Sequence, residues 1–209
     1  MARILNGILG GLSGKVAGVV GGAWKGINYV RGYAIPANPQ SAGQVAQRGK
    51  FSFSVTFAQS ILSSVINKFW EKMNAGMSGF NSFQKVNISQ CDAVTGLTVN
   101  NKTMQGSLES TTFLTAEYDT VTGNINLTTS ASVLGNGLAT DKMLIVVFDK
   151  TNNIAFVSDA INLRSETGAT MAIGEGRTAT DLIVFVSYYR GTAPDYLMSN
   201  SLAAFATAP

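Results

Sequence analysis

Two periodicities divide the chain. Phe51, Val55, Ala58, Leu62, Val65, Phe69 and Met73 recur at steps of three and four, the spacing of one helix face. Phe53, Phe57, Ile61 and Trp70 form a second stripe beside the first. A helix apolar around so much of its circumference is buried on more than one side. Ser41 is an N-cap candidate behind the turn signal Asn38-Pro39, and Asn74-Ala75-Gly76 supplies a stop. Unbroken from 41 to 74, this helix would be about 50 Å long. Gly43 and Gly49 predict a break in its first turns.

From residue 97 the period changes to two, which predicts strands near 103–109, 111–118, 123–130, 143–149, 153–160, 168–173 and 181–189, with a short one near 195–200. Asp119–Gly123, Lys150–Asn153 and Arg190–Asp195 read as turns, the last containing Pro194. The runs Met143–Phe148 and Leu182–Val186 are apolar without interruption, as central strands buried on both faces would be. Short strands at this spacing predict an immunoglobulin-like antiparallel β-sandwich.

The first 37 residues follow neither pattern. Gly10, Gly14, Gly18, Gly22 and Gly26 recur every fourth residue. In a helix each costs roughly 1 kcal/mol relative to alanine, whereas in a strand the interval keeps all five on one face. Val16, Val19, Val20, Trp24, Ile27, Tyr29 and Val30 add β-branched and aromatic character. The segment therefore reads as an extended arm over about 14–34, with a hairpin near Gly21-Gly22. The rival reading is a helix-packing face of small residues in a membrane. Lys15 and Lys25 oppose it, as does the lack of a compact apolar run with a cleavage site, so neither a membrane span nor a secretion signal is expected. The expected organisation is an arm (1–37), a helical segment (38–96) and a sandwich (97–209).

Composition narrows the chemistry. The chain has 209 residues and no histidine, which removes the usual general acid/base near neutral pH and the commonest metal ligand. Cys91 is the sole cysteine, so there is no intrachain disulfide and no Cys/His zinc site. It reads as a small buried or half-buried residue. Charged residues make up 13%, about half the globular average of roughly 25%. Either other subunits cover part of the surface or Thr, Ser and Asn do. Residues 1–90 carry a charge of +8 and residues 91–209 a charge of −5, which together give the net +3. Such asymmetry suits an acidic partner: nucleic acid, a membrane surface or the acidic half of a neighbour.

Gly10–Gly14-Lys15-Val16 resembles a phosphate-binding loop, but it has three residues between its glycines where four are needed, and valine follows the lysine. Glu117 and Asp119 share a strand face but flank a turn, where solvated acids are ordinary. Asp119, Thr122 and Asn124 match no strong calcium pattern. Lys15, Lys25, Arg31, Arg48 and Lys50 form a basic face beside Trp24, Tyr29 and Tyr33. It suits either phosphate and base contacts or the acidic half of another subunit.

Ser13-Gly14-Lys15-Val16, Val19-Val20-Gly21, Trp24-Lys25-Gly26, Val30-Arg31, Asn38-Pro39, Gln44, Gln47-Arg48 and Phe51 resemble the opening of a family of uncharacterised proteins common in Bacteroidota. Tyr118-Asp119, Gly123, Val147-Phe148-Asp149 and Ser199-Asn200-Ser201 extend the resemblance across nearly the whole chain. Ala17-Gly18 departs from the family's more usual Gly-Asn, and the C-terminus is longer and more apolar. The resemblance implies a bacterial or bacteriophage origin and a two-part layout, and brings no activity. Asn38-Pro39 with Gln44 and Arg48 also resembles segments of phage structural proteins.

The expectation is a non-enzymatic, self-assembling structural protein without metal or cofactor, either a virion component (phage coat, capsid or tail) or a member of another homomeric array. Its place would be the cytoplasm or the virion. The assembly interface is expected at Val16, Val20, Trp24, Ile27, Tyr29, Phe53, Phe57 and Trp70. One alternative is a sandwich that binds a carbohydrate, peptide or host-surface ligand through Tyr188, Tyr189 and Tyr196. The other is a nucleic-acid-associated protein acting through the basic N-terminal half.

Overall fold

Our computed structural model describes residues 3–4, 10–35, 37–38, 40–130, 135–193 and 195–209, the side chains at 3, 4, 160 and 161 excepted. Pro39 and Pro194, invoked above as turn residues, lie outside the described residues. The chain divides into two compact units, Met1–Gln40 and Ser41–Pro209.

The first unit is a four-stranded antiparallel sheet in the order β1 (Arg3–Ile4), β2 (Leu12–Val16), β3 (Val19–Trp24), β4 (Ile27–Gly32). Its hairpins turn at Ala17-Gly18 and Lys25-Gly26, not at Gly21-Gly22, which lie inside β3. Lys25 (φ 48°) and Gly26 (φ 82°) both take the left-handed conformation that a two-residue hairpin loop requires. The four-residue glycine interval therefore does not mark one face, because the turns interrupt the alternation. Gly14 pairs with Gly21, where a Cβ would sit 2.2 Å from the Leu12 carbonyl oxygen. Gly22 lies beneath the Tyr29 ring on the other face.

The second unit opens with α1 (Ala42–Ser60), continues through a π-helical segment (Leu62–Ile66) into α2 (Asn67–Phe69), and adds α3 (Gly79–Asn87). One long helix to Asn74 does not form. Gly43 and Gly49 stay inside α1; Gly49 is needed because a Cβ would come 2.7 Å from the Ala93 carbonyl oxygen. The break lies at Ile61, whose carbonyl accepts from both Val65 N (2.9 Å) and Ile66 N (3.2 Å). This widened turn shifts the helical phase by one residue, and Ile61, Val65, Ile66, Phe69 and Trp70 all enter one core.

The strands that follow are β5 (Leu114–Asp119), β6 (Asn124–Thr129), β7 (Lys142–Asp149), β8 (Ile154–Leu163), β9 (Gly168–Ala172), β10 (Leu182–Thr192), β11 (Asp195–Met198) and β12 (Leu202–Phe205). Their pairings are antiparallel. One sheet runs β11-β10-β7-β8 with β12 also on β10, and the other runs β5-β6-β9. No strand forms at 103–109, where Leu108 makes only an isolated bridge to Ser199. The unanticipated β12 follows the Ser199-Asn200-Ser201 break.

The unit has three layers. Leu144, Val146, Phe148, Ile183 and Phe185 pack against the helices. Met143, Ile145, Val147, Leu182, Val184 and Val186 pack against Tyr118, Ile125 and Leu127 of the three-stranded sheet. Burial on both faces is why β7 and β10 read as unbroken apolar runs. The helical stretch expected as a separate segment shares this core. The C-terminal strand closes one edge of the sandwich. It pairs with β10 through β12, then with β5 through Tyr118 N to Thr207 O and Thr207 N to Ala116 O, both 2.9 Å. At the opposite side β8 and β9 end their sheets.

Candidate assembly surface

Cross-strand pairing sets the faces of the N-terminal sheet. Val20 opposes Lys15 and Arg31, Gly22 opposes Tyr29, and Trp24 opposes Ile27, so these side chains share one face. Trp24 is 65% exposed and Ile27 67%. With Ala23 and Tyr29 they line a cleft of about 420 Å³. Val16 lies on the other face with Val19 and the exposed Val30. The Lys15 ammonium sits 3.4 Å over the Tyr33 ring, and Lys25 lies 4.9 Å from the Trp24 ring. Residues 1–40 contain no Asp or Glu. The unit is an aromatic and β-branched sheet with positive charge only.

Of the residues expected at an interface, Val16, Val20, Trp24, Ile27 and Tyr29 stand on this sheet, and Phe53 is exposed on α1 beside Gly96. Phe57 and Trp70 do not belong with them, because both are buried in the core of the Ser41–Pro209 unit. Phe57 packs 5.0 Å from Phe148 and 5.4 Å from Phe185, and Trp70 Nε1 donates to the Thr103 carbonyl (2.8 Å). The basic face is divided as well: Lys15, Lys25 and Arg31 lie in the first unit, Arg48 and Lys50 on α1 in the second.

A second feature lies in the larger unit. Lys68 of α2 pairs with Asp159, which also accepts from the Tyr189 hydroxyl. The Lys68 ammonium stands 5.1, 5.2 and 5.8 Å from the rings of Phe69, Tyr189 and Tyr196. Beside it a groove of about 660 Å³ runs between Phe69, Met73, Tyr196 and Met198. Of the tyrosines considered for ligand recognition, only Tyr196 lines it. Tyr188 is buried against the Arg164 guanidinium, and Tyr189 is buried. Burial, then the Asp159 carboxylate, pushes the Tyr189 hydroxyl far above the ordinary tyrosine range. In an alkaline titration followed by ultraviolet absorbance, Tyr189 should stay protonated while exposed tyrosines ionise. Replacing Asp159 by asparagine should bring its ionisation down.

The remaining motifs resolve into structure. Asp119 accepts from Val121 N (2.8 Å) and Thr122 Oγ1 (2.7 Å). Those bonds close its turn and, Thr122 first, hold its carboxyl below the usual range. Glu117 lies on the same outer sheet face, opposite Asn126. The Gly10–Lys15 segment leads into strand, not into a helix that could receive a phosphate. Among the described residues no three Asp, Glu or Cys side chains cluster for a metal ion. Cys91 is buried, and burial pushes its thiol upward. It should alkylate slowly in the native protein and fast once unfolded. Among the described residues no helix is long and apolar enough to cross a membrane.

These elements define a mainly β protein, an antiparallel sandwich with helices on one face and a separate N-terminal sheet. Within that class the chain belongs to a family of unknown function, DUF6266, whose model matches residues 11–200. No curated protein matches the chain. A crystal structure of a Fn3-like protein from Clostridium thermocellum is similar at 16% identity over 48% of this chain and 93% of that one, with a TM-score of 0.32.

Proposed function

We propose that this chain is a non-enzymatic structural protein that assembles with copies of itself, as a coat, capsid or tail component of a phage particle of Bacteroidota or as another homomeric array. In this reading the sandwich is an immunoglobulin-like building block and the N-terminal sheet is the connector. The observation that carries it is the exposure of Trp24 and Ile27 on a positively charged sheet with its own fold. Fully burying such a side chain contributes about 1.5–3 kcal/mol, and several cluster here. A contiguous apolar patch of this kind marks an interaction site.

Trp24 and Trp70 are the two tryptophans, and Trp70 is buried. Iodide quenching therefore reports on Trp24. Quenching should fall as protein concentration and particle mass rise together. Mass that rises while Trp24 stays fully quenchable would remove this sheet from the interface, and a monomer at every concentration would remove the assembly reading. Because the sheet is basic and residues 91–209 are acidic, added salt should loosen the assembly. Exposed charges are screened beyond about 8 Å at physiological ionic strength. Light scattering that stays flat or rises with salt would assign the association to apolar contact alone.

A further inference from the structure

The open side of the sandwich has a readable backbone phase. Thr129 N donates to Thr167 O (2.8 Å) and Ile173 N to Gly123 O (3.0 Å). In an antiparallel ladder, hydrogen-bonded and non-hydrogen-bonded pairs alternate. With the β6–β9 register of Leu127 on Ala169 and Ile125 on Met171, those residues bond to β6. The N–H and C=O groups of Gly168, Thr170 and Ala172 then face the free side. The same logic applies to β4. Tyr33 N donates to Gly18 O (2.7 Å), and Arg31, Tyr29 and Ile27 follow in phase with Val20, Gly22 and Trp24. Asn28, Val30 and Gly32 therefore turn their backbone groups away from β3. β9 and β4 are each the last strand of their sheet, and each turns the backbone groups of three residues outward.

The edge of β9 also exposes core. Phe156 and Met171 pack against the inter-sheet cluster yet remain only half-buried, Phe156 beneath the Arg177 guanidinium, 4.7 Å from its ring. The opposite edge, by contrast, is covered by the C-terminal strand through Thr207. Exposed Glu166 and Glu175 bracket β9, and residues 165–176 contain no Lys or Arg. An unpaired edge bare of lysine and proline is a template for another strand.

We propose that β4 of a second copy adds antiparallel to the free edge of β9, so that the N-terminal sheet of one subunit extends the three-stranded sheet of the next. Strand addition of this kind draws affinity from main-chain bonds and specificity from alternate side chains. The direction follows from parity. In an antiparallel addition the bonded residues Asn28, Val30 and Gly32 oppose Gly168, Thr170 and Ala172. Ile27, Tyr29 and Arg31 then fall on the inner side with Ala169 and Met171, where the apolar pair covers Met171. A parallel addition would turn that face to solvent. Charge agrees, since the donor sheet has no acid, while the recipient edge has Glu166 and Glu175 against the single cation Arg177, which is bonded to the Gly174 carbonyl.

The inference rests on the self-assembly reading, and the experiment separates the two. Thr170→Pro and Val30→Pro each remove one outward N–H while leaving the ladders to β6 and β3 intact. Each should weaken self-association at least tenfold in sedimentation, with circular dichroism and melting temperature near those of the unaltered chain. Thr170→Ser keeps the N–H and should assemble normally. Full-length Thr170→Pro mixed with residues 41–209 should form a one-to-one complex, although neither self-associates alone. If the proline variants assemble like the unaltered chain, or the mixture stays apart, β9 is not the recipient. In that case a monomeric 41–209 would leave assembly through the N-terminal sheet standing, whereas an assembling 41–209 would sink both. A monomeric unaltered chain whose Trp24 is shielded would make the occupant the subunit's own N-terminal sheet and overturn the proposal.

Discussion

Replacing Phe57 by alanine should destabilise the Ser41–Pro209 unit by about 3–5 kcal/mol. Phe57 is fully buried and lies where the helices meet the central sheet. Its ring is 5.8, 5.0 and 5.4 Å from those of Phe83, Phe148 and Phe185. Those neighbours come from α3, β7 and β10, so no single element can shift to fill the space. Thermal unfolding should show a midpoint lowered by roughly 6–20 °C for a domain of this size. A loss below about 1 kcal/mol would mean that the helical layer is not held by this cluster. Phe51→Ala, at an exposed α1 position, should change stability by less than about 0.5 kcal/mol.

Asp141→Ala should be as damaging for a different reason. The Asp141 side chain is fully buried and holds Arg164 Nε (3.1 Å), Arg190 Nε (2.7 Å) and the Leu138 amide (2.8 Å). Arg164 is fully buried too, stacked on Tyr188 and bonded to the Glu109 carbonyl. Removing the carboxylate strands a buried guanidinium, which costs about 3–5 kcal/mol. The Lys72–Asp195 pair, 3.1 Å apart, has side chains 62% and 86% exposed. Losing it should cost below about 1 kcal/mol. Urea unfolding of the two variants distinguishes these cases, and equal losses would contradict the burial argument.

The legible parts of this fold are those where one physical signal acts alone. β7 and β10 were readable because burial on two faces leaves no polar position between Met143 and Phe148 or between Leu182 and Val186. The turns at Asp119 and Lys150 were readable from residues that close them through side-chain bonds, as Asp119 does to Thr122 and Asp149 to Asn152. What escaped was set by contacts distant in sequence. The widened turn at Ile61 answers to a core built by β7 and β10, and a stripe at steps of three and four runs through it without a mark. Phe57 and Trp70 read as interface residues because a doubly apolar helix needs two partners, and the chain's own sheet and α3 supply both. β12 escaped because Leu202-Ala203-Ala204-Phe205 has no polar alternation, although its first three residues are half-buried and Phe205 is exposed. The glycine interval misled because hairpin turns reset a period that is regular only along the chain. For the surface, the sequence located the exposed aromatic and basic residues of the N-terminal sheet. It held no sign of β9 as an open edge, which depends on the C-terminal strand closing the other side.

The central claim is that the N-terminal sheet joins subunits while the larger unit folds without it. The most direct test is the solution mass, by light scattering coupled to size-exclusion chromatography, of the full chain and of residues 41–209 at matched concentrations. The account predicts a multimeric full chain and a monomeric, cooperatively melting 41–209. A 41–209 variant that forms the same particle, or a full chain that remains monomeric at every concentration, would contradict it.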